Sequence, residues 1–227
     1  MRVSVVGCGR RGAVQAACLA AAGHDVVALE TDPSARRRLR AGLPATAEPR
    51  LRRLLALALL SGRLRVTGDR TAVAGARVHV LAVGTGAVAG GLAVGDDDVR
   101  AGARTAMLRD AVEQLAPHLG PGDLVVGRAS VLPGTAAWLS ASLAADGVHA
   151  DVVWVPDEHR PGHAVLDTLR PARLVYGVPG GTPGERAVAI LDALHALQLA
   201  AGTPRETAGL EHAELVGGPV PAVLGAA

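Results

Sequence analysis

Short apolar runs alternate with longer stretches of helical spacing along most of the chain, the pattern of a parallel, doubly wound sheet. Residues 3–6 form the first apolar run. A glycine-rich turn follows at 7–12, helix formers fill 13–22, and a second apolar run at 25–29 leads to Glu30. A helix is expected from about Pro33, with Asp32 able to cap it and Pro33 suited to its first turn. A second amphipathic helix covers 51–60, and 63–67 reads as a strand. Residues 78–83 are almost continuously apolar, as in a central strand buried on both faces. Beyond a Gly-rich segment at 84–95, a helix is expected over 100–119, a strand at 124–127, a helix at 136–144 and a strand at 151–155. A strand at 174–177 and a helix over 183–197 come next. The last helix begins near Glu206 and runs to Leu215, before Gly217, Gly218, Pro219 and Pro221 interrupt helical geometry.

The first thirty residues carry the most specific signal. Gly7-Cys8-Gly9-Arg10-Arg11-Gly12 is a G-x-G-x-x-G turn between a strand and a helix, with an acidic residue at the end of the next strand. Gly7 permits the tight turn, Gly9 lets backbone approach a pyrophosphate, and Gly12 lets the helix pack closely on the sheet. The helix N-terminus offers free N–H groups and a positive dipole end to phosphates. Glu30 can accept hydrogen bonds from a ribose 2′-OH and would repel a 2′-phosphate, so the expected cofactor is NAD rather than NADP. The fold class is therefore α/β, a doubly wound and mostly parallel sheet of Rossmann type. It divides into a single domain at 1–204 and a short C-terminal helical appendage at 205–227.

Composition narrows the chemistry further. Hydrophobic residues make up 49% of the 227 residues, enough for a full core without disulfides. A net charge of +2 gives no reason to invoke nucleic acid or an anionic membrane. Cys8 and Cys18 both fall in the first strand–helix unit and suit a reduced compartment. No charged segment followed by an apolar one opens the chain, and no apolar run is long enough to span a bilayer. The protein is expected in the cytoplasm. Phe, Lys and Asn are absent, and all 23 basic residues are Arg. No ammonium side chain is thus available as base or electrophile, and the carboxamides are limited to Gln15, Gln114 and Gln198. Arg36, Arg37, Arg38 and Arg40 read as a solvated helix face rather than a phosphate site. Asp96, Asp97 and Asp98 read as helix capping rather than as metal ligands. Pro161 and Gly162 between His159 and His163 argue against a helical metal pair. No metal is expected.

The chain resembles the UDP-glucose and GDP-mannose dehydrogenases. The likeness covers the 7–12 turn, Ala17-Cys18-Leu19-Ala20 with Gly23-His24 and Asp32, Glu48-Pro49, Ser61-Gly62-Arg63-Leu64 and Ala82-Val83-Gly84-Thr85. Further on, Ser130-Val131-Leu132-Pro133-Gly134-Thr135 resembles the family's S-T-V-P-x-G-T loop beside the nicotinamide. Pro156-Asp157 with Gly162 resembles its N-P-E-F-L-x-E-G segment, 170–177 its H-P-D-R-I-V-I-G strand, and Ala213-Glu214-Leu215-Val216 the A-E-L-x-K of its central helix. The resemblance implies an oxidoreductase acting on the CH–OH group of a sugar or sugar nucleotide. It implies cofactor contacts from Gly7, Gly9, Arg10, Arg11, Gly12, Glu30, Val83, Gly84, Thr85 and Ser130. A homo-oligomer, or pairing with a chain that carries a sugar-nucleotide domain, stays open.

The departures concern catalysis. In the family a cysteine in a later domain carries the second oxidation through a thioester, and the resemblance here ends before such a domain. The family lysine and asparagine fall on Gly217 and Pro221, and its two glutamates on Asp157 and Pro161. Its threonine falls on Ser130, which keeps a hydroxyl. A single two-electron oxidation needs only the cofactor and a base. Asp157 or His159 could be that base, with Ser130 holding a hydroxyl. A catalytically inactive NAD-binding pseudoenzyme or assembly partner is the alternative, with 157–163 a solvated loop of charged residues.

Overall fold

The computed structural model describes residues 1–83, 97–129, 131–160 and 162–216, with the side chains of 97–104 excepted. Gly84, Thr85, Ser130, Pro161, Gly217 and Pro221 lie outside the described residues. The described strands are β1 Arg2–Val6, β2 Asp25–Leu29, β3 Leu64–Thr67, β4 Val78–Leu81, β5 Leu124–Gly127, β6 Asp151–Trp154, β7 Leu174–Gly177 and β8 Arg205–Ala208. They form one sheet in the order β3-β2-β1-β4-β5-β6-β7-β8. Every pairing is parallel except β6 with β7, which meet antiparallel at Trp154 and Gly177. The first six strands thus have the doubly wound order, with the strand sequence reversing between β1 and β4.

Period-two alternation divides the core between the two faces of the sheet. Val3, Val5, Val26, Ala28, Val78, Val80, Leu124, Val126 and Val153 pack on one side, against α1 Arg10–Ala21, α3 Leu51–Leu60, α6 Ala164–Leu169 and α7 Gly181–Leu194. Val6, Val27, Leu29, Leu81, Val125, Val152 and Trp154 pack on the other, against α4 Asp97–Leu115, α5 Thr135–Ala145 and α9 Leu210–Val216. The polar interruption of β4 is satisfied at one ring nitrogen only, since His79 Nε2 is buried without a hydrogen-bond partner among the described residues. His79 Nδ1 lies 2.8 Å from Ser4 Oγ on the neighbouring strand, and His79 Nε2 lies 3.6 Å from Asp123.

Three sequence expectations are corrected. The segment read as the start of the last helix is β8, which pairs in parallel with β7 from Arg205 to Ala208, and helix begins only at Leu210. Its Arg-Glu-Thr-Ala sequence shows no apolar alternation because an edge strand exposes most of its side chains. The helix expected over 183–197 is two: α7, then α8 Ala196–Ala200 beyond a break at His195. The arginines of α2 Pro33–Arg40 are not simply solvated. Arg36 Nη1 donates to the carbonyls of Glu30 and Thr31 at 2.8 and 3.1 Å, and Arg40 Nε to Val66 O at 2.9 Å. Both tie α2 to strand ends.

Candidate functional site

The glycine turn builds the first half of the site. Gly7 has φ +82°, a conformation that favours glycine, and its N–H donates to Leu29 O at 3.0 Å. A Cβ on Gly12 would meet the Gly7 carbonyl, 2.9 Å from its carbon and closer still to its oxygen. Gly9, by contrast, has nothing among the described residues within 4 Å of where a Cβ would stand. It is also the residue before the first turn of α1, with no side chain capping the helix N–H groups. Space and free donors therefore coincide where a pyrophosphate would lie.

Glu30 is fixed beside this turn. Its Oε2 accepts from Cys8 N at 3.0 Å and its Oε1 from Asp32 N at 2.9 Å, so the carboxylate cannot swing away and each oxygen retains a lone pair. A cleft of about 730 Å³ runs from Glu30 and Thr31 past Gly7, Gly9, Arg10 and Arg11 to Val83, Ala129, His159 and Arg160. In a doubly wound sheet the acid binds the adenosine ribose, the glycine turn the pyrophosphate, and the reacting ring lies across the switch point. The residues present fit NAD in this orientation, and His159 lines the same cleft.

Next to the cleft lies a buried polar cluster that joins α1, α6 and the segments after β5 and β6. Asp157, only 2% exposed, pairs with Arg128 Nε at 2.7 Å. Gln15 Nε2, from the middle of α1, donates to both Asp157 oxygens at 3.1 and 3.2 Å. These contacts make Asp157 an anchor whose oxygens are already occupied. His159 is 8% exposed, so neither residue belongs to a solvated loop, whereas Glu158 is exposed and pairs with Arg173 at 2.9 Å.

The tautomer of His159 follows from its partners. Thr168 Oγ1 gives its one proton to Ala164 O at 2.7 Å. It therefore accepts in its 2.8 Å contact with His159 Nε2, and Nε2 carries the ring proton. Nδ1 is left as a bare lone pair, buried and without a hydrogen-bond partner among the described residues. Burial holds this imidazole below its ordinary pKa, with Asp157 opposing, so it is neutral at pH 7 and equipped to accept a proton.

The cysteines offer no nucleophile. Both are buried, and burial pushes Cys18 up to about 12 and raises Cys8 as well; thiols so shifted are inert. Two further residues, named in the sequence only as parts of family-like motifs and given no role there, hold the frame. Glu48 accepts from Gly162 N and Ala164 N, each at 3.1 Å, capping α6 beneath the His159 loop. Glu214, fully buried, accepts from Gly134 N and Ala136 N, each at 2.6 Å, fixing the start of α5. Neither role had a local sequence signal. Among the described residues no group of three or more His, Cys, Asp and Glu could hold a metal ion, and no helix is long and apolar enough to cross a membrane.

Four buried histidines make stability depend on pH. His24, His79, His159 and His195 are all held below the ordinary imidazole value by burial, His195 down to about 3. Their unfolded pKa is about 6.5, so the unfolded chain binds protons that the folded one refuses. Stability from this source is complete above about pH 6.5 and declines as pH falls toward the folded values. Between pH 7.5 and 5, His195 alone should cost about 2 kcal/mol. The urea midpoint should fall accordingly, and an unchanged midpoint would show that these rings titrate in the fold.

Comparison with known proteins agrees with the geometry. Residues 1–196 match the model of the UDP-glucose/GDP-mannose dehydrogenase family, NAD binding domain. The UDP-glucose 6-dehydrogenase of Rhizobium meliloti is 34% identical over 191 residues, which are 83% of this chain and 42% of that protein. The GDP-mannose 6-dehydrogenase of Azotobacter vinelandii is 31% identical, over 86% of this chain and 45% of that one. A UDP-glucose dehydrogenase structure from Pyrobaculum islandicum superposes with a TM-score of 0.78 at 32% identity, covering 95% of this chain and 48% of that one. The chain thus spans less than half the length of these relatives, and the part it matches is the one that holds their cofactor. With the glycine turn, the fixed acid and the open cleft in place, the chain belongs to the UDP-glucose/GDP-mannose dehydrogenase family as its N-terminal, NAD-binding domain.

Proposed function

We propose that this domain holds NAD in the Glu30–His159 cleft and supports a single two-electron oxidation of a CH–OH group on a sugar or sugar nucleotide. Bound NAD supplies the acceptor for the hydride leaving the alcohol carbon. The hydroxyl proton goes to His159 Nδ1, and the product is the carbonyl. Thr168 keeps the ring in the accepting tautomer, and Asp157, itself anchored by Arg128 and Gln15, stands 3.8 Å from Nε2 to stabilise the imidazolium that forms. Gly9, the α1 N-terminus, Arg10 and Arg11 face the pyrophosphate, and Glu30 the ribose. Ser130 is assigned to the substrate hydroxyl on the family resemblance alone. The observation that carries the reading is the glycine turn, the fixed acid and a neutral histidine on the walls of one cleft.

A second reading, an NAD-binding domain without turnover of its own, is favoured by the fully engaged carboxylate of Asp157, where the family pattern has a glutamate. The two readings separate on NADH formation across a panel of sugars and sugar nucleotides. The first predicts turnover in the wild type and a loss of about 100-fold or more in kcat for His159→Leu, with NAD affinity retained. It also predicts an acidic limb of the kcat profile below the ordinary imidazole pKa. NAD binding with no NADH from any alcohol would leave the second reading.

A further inference from the structure

The net charge of +2 hides a polarised surface. Residues 31–77 hold eleven arginines against three acidic residues, and the other residues hold twelve against eighteen. The basic stretch includes α2 and α3, which both pack at the β3 edge of the sheet. Among the described residues only Arg63 and Arg77 of the eleven form ion pairs. Arg36, Arg38 and Arg40 donate to uncharged oxygens, which leaves their charge uncompensated. The outward face of α3 joins this charge to apolar surface. Leu51, Leu55 and Ala58 are buried, so Arg52, Arg53, Ala56, Leu57 and Leu60 are exposed on the opposite side. Leu57 is 53% exposed and Leu60, one turn on, 85%. The arginines do not serve the helix itself. Arg50, Arg52 and Arg53 crowd its N-terminus with no acidic residue in the first turn, and that end of the macrodipole disfavours cations.

A partner for this face must carry negative charge and accept aliphatic side chains as well. A single-stranded nucleic acid meets the first need only, because its bases stack on aromatic rings and residues 31–77 contain no Phe, Tyr or Trp. An anionic bilayer meets both, since its headgroups attract arginine and its acyl boundary takes up leucine. We propose that the outward face of α3 is a peripheral docking surface for a membrane rich in anionic phospholipid, with Arg52 and Arg53 at the headgroups and Leu57 and Leu60 in the acyl boundary. None of these four residues lines the dinucleotide cleft, so docking does not depend on NAD or on turnover.

Co-sedimentation of the full chain with vesicles tests this, using phosphatidylcholine alone and an equimolar mixture of phosphatidylglycerol and phosphatidylcholine. Binding to the mixed vesicles only is expected, with or without NAD. Arg52→Gln with Arg53→Gln should weaken it about 30-fold, and Leu57→Ser with Leu60→Ser about tenfold. Leu197→Ser is the control: Leu197 is 58% exposed but lies on α8, which leads to the opposite edge strand β8, and its loss should leave binding unchanged. Failure to sediment with the mixed vesicles, equal sedimentation with phosphatidylcholine, or full binding by the leucine pair would each overturn the proposal, the last because charge alone would then explain it. Tighter binding of polyuridylate than of vesicles would overturn it in favour of RNA. Should a double variant not fold, its two single replacements take its place.

Discussion

Replacing Arg128 with methionine should lower unfolding stability by about 3–5 kcal/mol, because it strips a buried carboxylate of its counter-charge. Asp157 is 2% exposed and pairs with the guanidinium at 2.7 Å. Without it, the carboxylate would keep only the Gln15 amide among the hydrogen-bond donors of the described residues. Urea unfolding monitored through the two tryptophans gives the measurement. The double replacement Arg128→Met with Asp157→Leu should recover most of the loss, since an apolar pair of similar volume avoids desolvating either ion. If the single variant loses less than about 1 kcal/mol, the pair is solvated and the anchoring role assigned to Asp157 is wrong. The consequence for function is direct, since Asp157 is also the charge nearest His159 Nε2.

Gly12→Ala should be almost as damaging to the cofactor as to the fold. The added methyl would collide with the backbone carbonyl of Gly7 and come within 3.2 Å of Ala82 Cβ, and backbone cannot rotate aside as a side chain can. Relief requires the turn to open, at a cost of about 1–3 kcal/mol in overpacking. An opened turn also carries Gly9 and the first N–H groups of α1 away from the pyrophosphate. Two lost charge-assisted hydrogen bonds correspond to about 100-fold or more in NAD affinity. Gly9→Ala is the informative contrast: nothing surrounds its Cβ position, so stability should hold while the methyl obstructs the phosphate. Equal behaviour of the two variants, in both stability and NAD affinity, would contradict the separate roles given to these glycines.

Legibility from sequence followed how local each determinant is. The β1–turn–α1–β2 unit was readable because glycine conformation, helix formers and the terminal acid all act within thirty residues. The cluster behind the cleft was not. Gln15 and Asp157 are 142 residues apart and Arg128 and Asp157 are 29 apart, so sequence could name Asp157 and His159 without saying that one is an anchor and the other carries a bare nitrogen. The helix α6 escaped notice for a similar reason: it has six residues, and its cap comes from Glu48, 116 residues before Ala164. β8 misled because its strand character comes from pairing with β7 rather than from any apolar pattern of its own. The scarcity of carboxamides was a usable clue, since one of the three, Gln15, is buried with its amide on both oxygens of Asp157.

The central claim is that the Glu30 cleft holds NAD, and calorimetric titration of the wild-type chain and Glu30→Ala with NAD and NADP tests it most directly. Glu30 is held by two backbone amides beside the glycine turn, so the account predicts that the wild type binds NAD and discriminates against NADP. Glu30→Ala should lose about tenfold or more in NAD affinity while its discrimination collapses. Wild-type chain that binds neither nucleotide, or a variant that keeps both affinity and discrimination, would contradict it.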